Sequence, residues 1–189
     1  MAGPVENSNY RYCYHCMAPV IQASGACPHC GHDINGRVRP GTVPPGSLIH
    51  YGQYLVGDVI GQGGFGITYI GEDMGLRIPV AIKEYYPNGS VTRDHRTSSV
   101  YSIAVDEKDT SFASGRDKFI QEAQILARFS GTPGIVDVKS VFQENNTAYI
   151  VMQYISGKTL NEYVNANGLI SQDRLLKMMQ PVMNAIDCW

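Results

Sequence analysis

The sequence predicts an α+β protein: an antiparallel five-stranded sheet carries one helix, two further helices follow, and a small four-cysteine module stands in front. Three observations predict it. Runs rich in β-branched and aromatic residues, separated by turn residues, occur at 54–60, 67–72, 78–84, 135–142 and 148–154. Residues 116–129 have helical spacing, with Phe119, Ala123, Leu126 and Ala127 on one face. Four of the five cysteines form two close pairs, Cys13/Cys16 and Cys27/Cys30.

The chain has 189 residues, 43% of them apolar, which is enough for one ordinary domain with its own core plus a small module. A formal net charge of −2 gives no electrostatic case for a nucleic-acid or acidic-membrane partner. The first residues are polar and lack the apolar segment of a secretory leader. No apolar run approaches the roughly 20 residues of a membrane span. The longest, 148–155, contains Gln153 and reads as a buried strand. Paired cysteines suit metal binding in a reducing compartment, so a cytoplasmic location is expected. A membrane anchor beyond residue 189 is left open.

Residues 1–10 read as a flexible tail and 11–35 as the cysteine module. The Pro/Gly-rich stretch 36–50 reads as a linker with an extended path. From residue 51 the strands begin. The segment 61–66 is the turn between the first two strands, and 73–75 is the next turn. The polar stretch 85–114 reads as a long insertion, with a short strand at 100–105 and otherwise a surface loop. Gly131-Thr132-Pro133-Gly134 stops the helix. Short and long helices are expected at 159–165 and 172–187, and Pro181 predicts a kink or break in the second. Cys188 reads as a buried apolar residue of that last helix.

Two intervening residues let both thiolates of a Cys-x-x-Cys turn face one ion, and two such turns complete a tetrahedron suited to Zn2+. Cys13, Cys16, Cys27 and Cys30 are the expected ligands, with Gly31 permitting the positive φ of the second turn. A redox role for Cys27-Pro28-His29-Cys30 would need a helix after it, which Gly31-His32-Asp33 does not start. His15 and His29 are alternative ligands, though exposed turn positions are expected for both. Arg11, Arg37 and Arg39 are thin support for nucleic-acid binding, so a protein partner is the expected contact of this module.

The glycine segment Gly61-Gln62-Gly63-Gly64-Phe65-Gly66 joins two antiparallel strands, and the third strand brings Val80-Ala81-Ile82-Lys83. Glu122 follows in the helical segment, then Val151-Met152-Gln153-Tyr154-Ile155. In this order the motifs resemble a bacterial serine/threonine protein kinase over 51–189: N-lobe and hinge at 51–155, first C-lobe helices at 156–189. The resemblance implies that Gly61, Gly63 and Gly66 let backbone amides close over ATP phosphates, with Gln62, Gly64 and Phe65 at the tip. Lys83 would hold the α- and β-phosphates and Glu122 would hold Lys83. Glu84 is a rival partner, but in a strand it points to the opposite face. Ile60, Thr68, Ala81 and Met152 would line the adenine site, and the backbone of Gln153 and Ile155 would meet the base edge. Thr68 replaces the usual valine and Gln153 the usual glutamate.

No His-Arg-Asp or Asp-Phe-Gly triplet occurs, and Asp137, Asp173 and Asp187 lie outside any such pattern. The Mg2+ ligands of a kinase are therefore absent from these residues, and the chain as given is expected to be inactive alone. The resemblance implies ATP, Mg2+ and a protein substrate for the complete enzyme. A pseudokinase-like nucleotide-binding fragment and a zinc-ribbon interaction module are the alternative readings. An exposed apolar surface is expected on the last helices.

Overall fold

The computed structural model describes residues 10–21, 25–103 and 111–186. Residues 1–9 of the expected tail 1–10, the end of the expected strand at 104–105, Asp187 and Cys188 lie outside the described residues. A short hairpin, β1 (Arg11–Tyr12) and β2 (Pro19–Val20), opens the cysteine module. The main strands are β3 (Leu48–Ile49), β4 (Tyr54–Gln62), β5 (Gly66–Asp73) and β6 (Ile78–Tyr85). A second hairpin, β7 (Val91–Arg93) and β8 (Val100–Ser102), precedes α1 (Ser111–Ala127). Then come β9 (Val138–Glu144), β10 (Thr147–Gln153), α2 (Leu160–Asn167) and α3 (Gln172–Ile186).

The sheet has six strands in the order β3-β4-β5-β6-β10-β9, all pairs antiparallel. Five are those expected; the sixth, β3, is a two-residue edge strand from the end of the Pro/Gly-rich stretch. That stretch is no free spacer: Val43 is buried and its amide donates to Tyr69 Oη at 3.1 Å.

Strand alternation builds two faces. Tyr54, Val56, Ile67, Tyr69, Val80, Ile82, Tyr149 and Val151 pack on one, covered by Val43 and by Val91 and Val100 of the β7–β8 hairpin. Tyr85, Ala148 and Ile150 face the other, under Phe119 and Ala123 of α1. Gly71 sits mid-strand where no side chain fits. A Cβ there would stand 2.5 Å from Ile82 Cδ1 and 2.7 Å from the Leu55 carbonyl. Gly71→Ala is expected to destabilise the lobe by about 1–3 kcal/mol through overpacking, read as a lowered urea midpoint.

Three differences from the sequence reading have physical reasons. α1 starts at Ser111, five residues before the expected 116, because Phe112 packs on Tyr85 (ring centroids 5.4 Å) and extends the Phe119 face by two turns. The insertion is structural as well as superficial: Arg93 and Val91 are buried in the core. α3 runs through Pro181 without ending. The carbonyl partner lost there belongs to Lys177, an exposed residue within reach of water.

Candidate nucleotide site and four-cysteine centre

Antiparallel register sets the candidate phosphate and base residues in two rows across the sheet. Gly61 pairs with Thr68, Thr68 with Lys83 and Lys83 with Ile150. One step along the strands, Ile70 pairs with Ala81 and Ala81 with Met152. Thr68, Lys83 and Met152 are half-buried and Ala81 is buried. Ile60 and Ile155 are exposed at the rim, and the Gln153 amide donates to the Asp137 carbonyl at 2.9 Å.

The glycine hairpin closes on itself through Gly63 N–H to the Gly66 carbonyl at 2.9 Å. Its far side is tied to the chain after β6: Tyr86 N–H donates to the Phe65 carbonyl and Asn88 N–H to the Gly64 carbonyl. Gln62 and Phe65 are exposed. Below the tip lies a cavity of about 410 Å³ lined by Phe65, Lys83, Tyr85, Lys118, Phe119 and Glu122. Lys83 Nζ stands 5.4 Å over the Phe119 ring.

Lys83 and Glu122 thus share one cavity but form no ion pair. The ion pairs among the described residues are His15–Asp58 and Arg93–Glu84. Glu122 is exposed on α1. Sequence reasoning missed Lys118, which sits one turn before Glu122 on the same helical face and brings a second ammonium to the cavity. That i, i+4 spacing was the available signal.

Glu84 points away from Lys83, as strand alternation requires, and is fully buried. Its Oε1 accepts from Arg93 Nη2 at 2.6 Å and Tyr149 Oη at 2.8 Å; its Oε2 accepts from Tyr69 Oη at 2.7 Å. Arg93 also donates to the Gly41 and Ser98 carbonyls. Burial works against the Arg93 charge, but the Glu84 carboxylate outweighs it and raises the guanidinium pKa. Burial, then the Glu84 charge, raises both phenols. The sequence held one clue: a carboxylate on a core-facing strand position requires a buried cation.

The Sγ atoms of Cys13, Cys16, Cys27 and Cys30 all lie within 4.8 Å of one another. Cys13–Cys30 and Cys16–Cys27 are 3.8 and 3.9 Å apart. A tetrahedron of sulfurs about 2.3 Å from a central zinc has edges of roughly 3.8 Å, so the donor set fits such an ion. Burial pushes the Cys13 and Cys16 thiols up. Burial acts the same way on Cys27, but the amides of His29 and Cys30 and neighbouring thiols bring it down to about 7. Gly31 has φ 74, and Met17 holds the matching place after the first pair with φ 57. His29 is exposed. His15 is not a free turn residue: its Nδ1 meets Asp58 Oδ2 at 3.0 Å and its ring stacks on His32.

A curled antiparallel sheet with one helix on the face that carries a lysine under a glycine hairpin defines a class, and sequence comparison agrees with it. Residues 54–188 match the protein kinase domain family. The chain belongs to that family. It is 33% identical to serine/threonine-protein kinase PrkC of Bacillus subtilis over 135 residues, covering 71% of this chain and 18% of that protein. Serine/threonine-protein kinase B of Synechocystis is 24% identical over 163 residues, covering 85% of this chain and 25% of that protein. The chain therefore spans a quarter or less of these relatives' length. Among solved structures, PpkA-294 in its apo form aligns with TM-score 0.60 and 36% identity, covering 68% of this chain and 43% of that one. The PknI kinase domain of Mycobacterium tuberculosis shares the fold at TM-score 0.56 and 19% identity, covering 77% and 50%.

Proposed function

We propose that residues 51–155 are the ATP-binding lobe of a serine/threonine protein kinase, that 156–189 begin its second lobe, and that 11–35 hold a Zn2+ ion. The complete enzyme transfers the γ-phosphoryl group of ATP to protein hydroxyls. Lys83 orients the phosphates, Glu122 orients Lys83, and the segment 61–66 covers them. Ile60, Thr68, Ala81 and Met152 hold the adenine, with the backbone of Gln153 and Ile155 at its edge. The carrying observation is the row Gly61–Thr68–Lys83 above a cavity shared with Glu122. Thr68, one row along the sheet from Ala81 and Met152, keeps the branched shape of the usual valine. Closure on a triphosphate is what brings Lys83 and Glu122 into contact.

No His-Arg-Asp or Asp-Phe-Gly triplet stands in these residues to hold magnesium, so phosphoryl transfer by them alone is expected to be negligible. Cytoplasmic placement belongs to the same reading, together with a protein substrate and a protein partner for the four-cysteine module.

Titration calorimetry with ATP tests the site. Lys83→Ala is expected to weaken binding by about tenfold or more, the worth of a charge-assisted contact, without changing the far-UV spectrum. Equal affinity in both proteins removes Lys83 from the site.

A further inference from the structure

We propose that the Cys13–Cys16 turn is an intramolecular clamp on the nucleotide lobe, seated on strand β4 at Gly57 and Asp58, so that the four-cysteine centre holds the glycine hairpin and the hinge in place. This rests on the nucleotide-binding reading above.

β4 is irregular where it meets the module. Its register with β5 shifts between Val56 and Val59, so Gly57 and Asp58 bulge from the ladder. The bulge is completed by the cysteine turn. Asp58 N–H donates to the Tyr14 carbonyl at 2.7 Å. The buried Asp58 carboxylate takes the Arg37 amide on Oδ1 at 2.7 Å and His15 Nδ1 on Oδ2 at 3.0 Å. One oxygen is spent on the module and the other on the chain that leaves it.

Gly57 is glycine because of proximity. A Cβ there would collide with Met17 Cε and the Tyr14 carbonyl. The two cysteine turns differ in a telling way. After the second pair, the left-handed position is filled by Gly31, which adopts it without steric penalty. After the first pair the same conformation is forced on Met17, whose side chain is buried against Leu55 and Ile70 together with Tyr12. The strained choice is explained by docking, since metal ligation alone would favour glycine at both places.

The seat lies beside the nucleotide site. Ile70 is the next residue after Thr68 on the Lys83 face of β5 and pairs with Ala81. Tyr154, in the hinge segment, packs against the same cluster. Gly61 follows Asp58 by three residues. One module thus touches the strand leading into the glycine hairpin and the segment expected to hold the base. On the far edge, Arg77 in the β5–β6 turn donates to Tyr10 Oη and Tyr12 Oη at 2.9 and 2.8 Å.

The test compares the full chain with Asp58→Ala and Asp58→Asn, reading bound zinc by elemental analysis, ATP affinity by calorimetry and amide exchange over 59–67. Asp58→Ala is expected to keep its metal, exchange faster over 59–67 and bind ATP about fivefold or more weakly, a typical coupling between sites. Asp58→Asn, which keeps an acceptor for the Arg37 amide, is expected to recover part of both. Metal-loaded Asp58→Ala with wild-type affinity and wild-type exchange overturns the clamp. Should Asp58→Ala fail to fold, the wild type with and without chelator decides: faster exchange over 59–67 on metal loss supports the clamp, unchanged exchange overturns it. If the wild type binds no ATP, the nucleotide reading falls, and the exchange measurements alone still decide the clamp.

Discussion

Glu84→Ala is expected to cost the lobe about 3–5 kcal/mol, because it strands a buried guanidinium. Arg93 is as buried as its partner, with side-chain exposures of 1% and 0%. Without the carboxylate, Arg93 keeps two carbonyl acceptors but no counter-charge, and the Tyr69 and Tyr149 hydroxyls lose a shared acceptor. Each orphaned group adds its own desolvation cost. The melting temperature should fall by roughly 10 °C. Glu84→Gln should recover only part, since it restores a hydrogen-bond acceptor and no charge. Glu84→Met with Arg93→Met should be far milder than Glu84→Ala, because the pair as a whole contributes less than either half costs when removed. A single variant as stable as the parent in urea titration would contradict the buried pair.

Removing metal from the four-cysteine centre is expected to unfold residues 11–35 and to loosen the lobe as well. The module's own core is Cys13, Val20, Cys27 and Ile34, half of it ligands. So little apolar area cannot offset chain entropy, and a bound metal would supply the missing folding energy. The seat adds a consequence that composition did not show. Losing the module uncovers Leu55 and Ile70, whose burial contributes about 1.5–3 kcal/mol each. Chelation should therefore expose 11–35 to protease and lower the melting temperature of the remaining lobe. Unchanged proteolysis and melting on strong chelation would show that these cysteines hold no ion.

The strands and helices were legible because each carries its own period. Tyr69 and Ile70 alternate faces on β5, Phe119 and Ala123 repeat along α1, and glycines mark the tight hairpin. The cysteine pairs were legible for the same local reason: two residues between thiols is a property of one turn. Lys83 on the cavity face and Glu84 on the other followed from a period of two.

What the sequence could not convey is which distant groups meet. Arg93 lies in a polar stretch that reads as surface loop, yet it enters the core because Glu84 needs a cation there. Asp58 looks like one more polar residue before the glycine hairpin, yet its two oxygens meet His15 of the cysteine module and the Arg37 amide just after it, both more than twenty residues upstream. Lys83 and Glu122 were expected as a pair and share only a cavity.

Residue type and spacing alone determined the kinase-like lobe, the cavity-facing lysine and the four thiols, since each depends on contacts within a turn, a strand or a helix. Only tertiary structure decided that Arg93 is buried, that the cysteine module sits on β4 and that Lys83 and Glu122 stand apart. Those outcomes depend on desolvation and packing between segments far apart in the chain, which no local pattern encodes.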